Sequence, residues 1–331
     1  MFFSIIVPSY NRKHELQSLL ESLEKQELPV EQYEVIVVDD GSTDGTAEWI
    51  GKFQATSPLH LRFFQQGHGG PGAARNHGAA NAAGQVFVFT DSDCIAPPSW
   101  LTEIKRVFNS DPTVQAFGGP DDASSDFPPL LKAINYSMTA FLTTGGMRGG
   151  KKKRLARYYP RSFNMGLRRE LYQKIGGFGA LRHGQDIEFS RRIIKSGAKI
   201  VYIPNAPVFH KRRASLAAFF KQVFNWGVAR INLYRVDHAM LEPLHFAPAA
   251  GFWLGLFFTI SALLFEPVLS VWWITAGVAA LVLIGCGIDA AIRWKSVRAG
   301  LLVPVVMAVQ ISGYGLGFTY AFISKVILGL G

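Results

Sequence analysis

The sequence predicts an α/β domain with a mostly parallel sheet, followed by a C-terminal region of about three membrane-spanning helices. Three observations carry this. Short β-branched runs alternate with polar, helix-favouring stretches over the first half of the chain. Three of these runs end in polar clusters. Beyond Leu244, charged residues almost vanish and three apolar runs of about twenty residues follow.

Phe2 to Pro8 is a β-branched and aromatic run that reads as a strand. Ser9-Tyr10-Asn11 forms a loop, and Lys13 to Gln26 reads as a helix. The pattern repeats as Glu34 to Asp39, the loop Gly41-Ser42-Thr43-Asp44-Gly45 and a helix through about Lys52. A third run, Val86 to Thr90, ends at Asp91-Ser92-Asp93. Such alternation argues a parallel sheet covered on both faces. Ligands of such sheets bind beyond the carboxyl ends of the strands, so the three polar clusters should face one crevice.

Helical spacing of Phe127, Leu130, Leu131, Ile134, Met138, Phe141 and Leu142 predicts an amphipathic helix. A second stripe, Leu216, Phe219, Phe220, Val223, Phe224 and Ile231, carries Lys221, Arg230 and Arg235 on its other faces. Flanking basic residues suit helices lying in a membrane interface. The apolar runs Phe246 to Phe265, Val268 to Ile288 and Leu301 to Ile323 each suffice to cross a bilayer. Only Glu266-Pro267 divides the first two, which predicts a tight hairpin. Arg293, Lys295 and Arg298 divide the second and third, which by the positive-inside rule puts that connection and the α/β domain in the cytoplasm, on an inner-membrane protein. Gly313, Gly315 and Gly317 would permit close helix packing in the third span. The expected division is the α/β domain over 1–213, an interfacial helix and linker over 214–243, and a membrane domain over 244–331.

The formal charge of +10 could serve nucleic acid, a membrane surface or an anionic substrate. Its placement decides. Lys151 to Arg154 and Lys211 to Arg213 lie beside the amphipathic stripes, and nothing matches a base-reading module, so anionic lipid headgroups are expected and nucleic acid is not. Cys94 and Cys286 make no disulfide framework. Met1 to Val7 lacks the features of a secretory signal.

Asp91-Ser92-Asp93 is the strongest chemical feature, because two carboxylates one residue apart can share a hard divalent cation with a diphosphate. An isolated Asp-x-Asp is usually a solvated turn. Here it gains weight from the other two clusters at the same sheet edge.

With these residues in place the chain resembles the family 2 glycosyltransferases of GT-A fold, from about Ser4 to His210. The carriers are Ser4-Ile5-Ile6-Val7-Pro8-Ser9-Tyr10-Asn11, Val37-Val38-Asp39-Asp40-Gly41-Ser42-Thr43-Asp44, Gly70-Pro71-Gly72-Ala73-Ala74-Arg75-Asn76 and Asp91-Ser92-Asp93. Ser162 to Arg169 with Ile175-Gly176-Gly177-Phe178 also resembles the family's acceptor-side segment. The resemblance implies a nucleotide-diphosphate sugar donor, a divalent cation (Mg or Mn) and transfer with inversion at the anomeric carbon. It implies that Pro8, Tyr10, Asn11 and Asp40 hold the nucleoside, that Arg75 and Asp91 lie by the nucleotide, and that Asp93 is the principal metal ligand with Asp91 and His210 nearby. Asp186 would be the catalytic base, although Gln185 stands where the family usually has Glu, and Glu188 is the fallback. The role of Asp186 as base is weighed, and preferred, against that of an ordinary acid at a helix N-terminus.

Gln222-Val223-Phe224-Asn225-Trp226 is similar to the Gln-x-x-Arg-Trp segment of processive polysaccharide synthases, except that Asn225 replaces Arg. With three candidate spans, a single-sugar transferase acting on a lipid-linked or membrane-presented saccharide is expected rather than a secreting channel. The alternatives are a polyprenyl-phosphate sugar synthase, whose acceptor needs no base, and a catalytically silent membrane scaffold.

Overall fold

The computed structural model describes residues 2–122, 127–140, 158–210 and 215–330. Phe141, Leu142, Lys151 to Arg154 and Lys211 to Arg213 lie outside these, as does the side chain of His210. The chain forms two compact units, Met1–Asp122 with Tyr158–Lys211, and Ala123–Arg157 with Arg212–Gly331. The segment after Asp122, in sequence part of the first 213 residues, thus groups with the C-terminal helices.

The first unit is built on a seven-stranded sheet. Its strands are β1 (Phe3–Ser9), β2 (Tyr33–Asp39), β3 (Leu61–Gln65), β4 (Val86–Phe89), β6 (Val114–Gly118), β8 (Met165–Arg168) and β9 (Lys199–Tyr202), in the order β3-β2-β1-β4-β8-β6-β9. Parallel pairing joins β3, β2, β1 and β4, with Ile5 beside Val35 and Val88. The strand β8 runs antiparallel between β4 and β6. A smaller sheet joins β5 (Cys94–Ile95), β10 (Val208–His210) and β7 (Asp121–Asp122).

The central strands β1, β2 and β4 are mostly apolar and fully buried because helices cover both faces. Ile5, Val7, Val35, Val37 and Val88 turn to one face, where Leu16, Leu19, Leu20 and Leu23 of α1 (Lys13–Leu23) and Trp100, Leu101, Ile104 and Phe108 of α4 (Trp100–Ser110) pack on them. The four leucines fall at i, i+3, i+4 and i+7, the spacing of one helix face. Ile6, Phe87 and Phe89 turn to the opposite face. There they meet Leu171 of α6 (Arg169–Ile175) and Phe189 and Ile193 of α7 (Gln185–Lys195). Beside them α3 (Pro71–Ala80) places Ala74 on Ile36 and Val38. The outer helix α2 (Thr46–Gln54) follows β2 and buries Ile50.

The second unit is helical. It contains α5 (Pro129–Thr139), α8 (Leu216–Val236), α9 (Ala247–Leu264), α10 (Glu266–Trp294) and α11 (Val297–Phe322), the last continuing as a π-helical turn over Ile323–Ile327. Three helices, Ala247–Leu264, Glu266–Trp294 and Val297–Ile327, are long and apolar enough to cross a membrane. They match the expected spans, but α10 runs past Ile288 through Arg293, and the turn to α11 is made at Lys295 in a left-handed conformation. Outward-facing Leu254, Phe257, Leu263, Trp273, Ile274 and Leu281 leave α9 and α10 clothed in apolar side chains.

The amphipathic stripes pack within this unit. Ala133, Ile134, Tyr136 and Met138 of α5 are buried with Phe219 and Val223 of α8 and Val303, Val306 and Met307 of α11. Helix α8 runs alongside α11 in the same direction: a Cβ on Gly313 would strike Val223, one on Gly317 would strike the Phe224 carbonyl, and Lys325 donates to Asn232 at 2.8 Å. The glycines singled out in the sequence therefore admit α8 against α11. Buried Ser137 of α5 donates to Gln310 of α11, so a polar side chain within the apolar helix has a partner.

Candidate active site

The site residues of the first unit gather at the carboxyl ends of β1, β2 and β4. The chain leaves β1 through Ser9 and Tyr10 and turns at Asn11, which has a positive φ of 51°. Asn11 holds that turn on the β2 loop: its backbone N–H donates to Ser42 Oγ at 2.8 Å, and its Oδ1 accepts from Thr43 N at 2.8 Å. Lys13 N donates to Asp44 at 2.9 Å. These bonds order the loop and fix the aim of residues 10–12. Pro8 is buried inside β1 beside Val38. Tyr10 stands 44% exposed, with its ring 4.3 Å from that of His68. An exposed aromatic pair at a strand end offers a stacking surface for a planar base.

Asp40, expected to accept from a base, is buried, and both carboxylate oxygens are engaged. They accept from Gly69 N at 2.9 Å, Gly70 N at 2.8 Å and Gln66 Nε2 at 2.8 Å. The His68 ring lies 3.1 Å from the carboxylate. Asp40 thereby shapes the glycine loop that opens α3.

Helix α3 is the hub of the site. Arg75 in its second turn is buried and pairs with Asp91 at 2.5 Å, while its guanidinium lies over the Phe178 ring at 5.3 Å. Asn76 clasps the segment after α6, donating to Phe178 O at 2.9 Å and accepting from Phe178 N at 2.7 Å and from the Tyr172 hydroxyl at 2.9 Å. Gly72 in the first turn abuts the Gln185 amide so closely that a Cβ there would overlap it. Gln185, the departure from the family's usual Glu, donates to Gly179 O at 2.7 Å.

Asp186 follows in the first turn of α7. One oxygen accepts from Ile187 N at 2.9 Å, and the other lies 3.3 Å from the Arg161 guanidinium. Glu188, two residues on in the same turn, is differently placed. Arg192 grips it at 2.6 and 3.0 Å and also donates to the carbonyls of Ile175 and Gly177. That clamp ties α7 to the segment after α6 and engages both oxygens of Glu188.

The two carboxylates of Asp91-Ser92-Asp93 remain partly accessible, with side chains 27% and 14% exposed, and each faces a guanidinium, Arg75 on Asp91 and Arg12 on Asp93 at 3.2 Å. The next residue, Cys94, pairs in register with His210, so β10 brings the backbone of the third expected ligand to the end of the acidic motif. Burial first, then Asp91 and Asp93, pushes the Cys94 thiol well above its ordinary value, so it is no nucleophile. Among the described residues no three His, Cys, Asp or Glu side chains form a ready-made metal cage. Two carboxylate oxygens still suit Mg or Mn, which commonly bind one or two carboxylates and complete their shell with diphosphate oxygens and water. The donor set therefore fits a cation delivered with a diphosphate.

Arg12, Arg161 and Gln66 were not among the sequence-predicted residues. Arg12 adjoins the Tyr10-Asn11 segment and Arg161 precedes Ser162-Phe163-Asn164, but a lone basic or amide residue in a polar stretch carries no spacing signal. Only the fold shows which carboxylates they reach.

The family model described as glycosyl transferase family 2 matches residues 4–176, more than half of the chain. The chain belongs to glycosyl transferase family 2. The glycosyltransferase AglE of Haloferax volcanii is 26% identical over 73% of this chain and 77% of its own length. A Methanococcus voltae enzyme, dolichyl N-acetyl-α-D-glucosaminyl phosphate 3-β-D-2,3-diacetamido-2,3-dideoxy-β-D-glucuronosyltransferase, is 24% identical over 69% and 73%. A solved mannosyltransferase of Pyrobaculum calidifontis, in complex with GDP-mannose and Mn2+, covers 92% of this chain and 86% of its own with a TM-score of 0.54 and 23% identity, which establishes the GT-A fold.

Proposed function

We propose that this family 2 glycosyltransferase moves a sugar from a nucleotide-diphosphate donor to a lipid-linked or membrane-presented saccharide acceptor, with inversion, using Asp186 as base and a divalent cation at Asp91 and Asp93. One observation carries the reading. The first two turns of α3 touch both halves of the chemistry, through Arg75 on Asp91 and Gly72 against Gln185, the neighbour of Asp186. The acidic motif and the candidate base thus flank one helix end.

Tyr10 and His68 would receive the base, and the loop shaped by Asp40 would line the nucleotide. Asp91 and Asp93 would hold the cation, with His210 as a third ligand. Bound there, it neutralises charge developing on the departing diphosphate. Asp186 would take the proton from the acceptor hydroxyl as that oxygen attacks the anomeric carbon opposite the leaving group. The donor complex of the archaeal mannosyltransferase and the dolichyl-linked acceptor named for the Methanococcus enzyme support this assignment of substrates. The three apolar helices would span the cytoplasmic membrane with Arg293, Lys295 and Arg298 inside, and so keep the acceptor lipid within reach.

Asp93→Asn should abolish donor turnover while leaving the melting temperature unchanged, and excess chelator should silence the wild type. Full activity in chelator would count against the cation reading.

A further inference from the structure

The acidic motif carries its own counter-ions, and they are not equivalent. Arg75 is 6% exposed and fixed from two sides, by Asp91 at 2.5 Å and by the Phe178 ring. Arg12 is 30% exposed, emerges from a loop and reaches two carboxylates, Asp93 at 3.2 Å and Glu15 at 3.7 Å. Its backbone is pinned on either side, by Asn11 to the β2 loop and by Lys13 N to Asp44. The side chain can therefore exchange between two carboxylates without the loop moving.

Each guanidinium holds one carboxylate oxygen, Arg75 that of Asp91 and Arg12 that of Asp93, and opposes by its charge a divalent cation arriving between them. A buried Arg75 resists displacement, because it would leave its Asp and lose its stacking at once. Arg12 has an alternative partner one helical turn away on α1.

We propose that Arg12 is a resident counter-ion of the metal site, sitting on Asp93 when no cation is bound and swinging to Glu15 when one arrives. This rests on the reading of Asp91 and Asp93 as cation ligands. The consequence is a weak site for free cation, so that cation and donor diphosphate enter together, and the acidic pair is kept neutral between turnovers.

The test is Mn2+ binding to the full chain in detergent, followed by electron paramagnetic resonance of free Mn2+ with no donor present. The site is defined by what Asp93→Asn removes. Arg12→Gln should tighten it on the order of tenfold, the size of removing one positive charge a few ångströms from a dication in a partly hydrated site. Glu15→Gln should weaken it, and in the Arg12→Gln background should change little, because Glu15 acts through Arg12; a double-mutant cycle reads that coupling. Unchanged or weaker Mn2+ binding in Arg12→Gln overturns the proposal, as do additive effects of the two substitutions. Should Arg12→Gln not fold, Arg12→Met, which also removes the charge, takes its place, and unchanged or weaker Mn2+ binding there overturns the proposal. If Asp93→Asn leaves Mn2+ binding intact, it is the cation reading that fails.

Discussion

Substituting the two acids of α7 separately should give opposite phenotypes, one in chemistry and one in stability. Glu188 is 13% exposed and held bidentately by Arg192, whose remaining donors secure the carbonyls of Ile175 and Gly177. Glu188→Gln removes the charge from that clamp, and hydrogen bonds to charged groups are worth about 1.5–3 kcal/mol. The variant should therefore lose about 1–2 kcal/mol of stability, since Gln keeps one acceptor for Arg192, and retain turnover within a few-fold. Among the described residues Asp186 meets one guanidinium, at 3.3 Å, and the N–H of Ile187. Asp186→Asn should melt normally and bind donor normally, yet lose about a hundredfold or more in turnover, equivalent to about 2.7 kcal/mol of barrier. The assay pairs thermal melting of the full chain in detergent with release of nucleoside diphosphate in the presence of acceptor lipid. An active Asp186→Asn with an inactive, fully stable Glu188→Gln would reverse the roles and refute the reasoning.

Gly317→Leu should cost about 1–3 kcal/mol of detergent-measured stability through overpacking of α8 on α11; an unchanged melting temperature would mean the two helices do not touch there. Hydrogen bonds from Lys199, then Thr113, hold the Asp111 carboxyl down to about 2. Its folded value lies below the unfolded value of about 3.9, so its contribution is present above about pH 4 and is lost as pH falls toward 2. Asp111→Asn should accordingly melt lower than the wild type at pH 5, and the gap should close on acidification; a gap that widens would contradict the assignment.

Much of this architecture was legible because its signals are local. The continuous apolar runs of β1, β2 and β4 follow from burial on both faces, and the loops after them carry Asn11, Asp40 and Asp91 to one edge by the topology of parallel sheets. The antiparallel strand β8 was not legible, since the four residues Met165-Gly166-Leu167-Arg168 are too few for alternation to mark a strand and its place between β4 and β6 is a long-range pairing. The two- and three-residue strands β5, β7 and β10 are likewise too short for periodicity, yet they carry His210 to the end of the acidic motif. The stripe from Leu216 was read correctly as a helix, but periodicity cannot say what an apolar face meets. Here it is the glycine-lined side of α11 that receives it. The pairs of Arg12 with Asp93 and of Arg161 with Asp186 lie beyond sequence reading for the same reason, because each joins residues whose proximity is a product of the whole fold, whereas Glu188 and Arg192 stand at i and i+4 on one helix.

The most direct test of the central claim is the stereochemistry of transfer. The full chain, reconstituted with lipid extract and offered α-linked nucleotide-diphosphate sugars with Mn2+, should yield a lipid-bound product whose new linkage is β when read by proton nuclear magnetic resonance at the anomeric position. That inversion is what a base at Asp186 facing a diphosphate at Asp91 and Asp93 must produce. A product with the donor's α configuration would contradict the account.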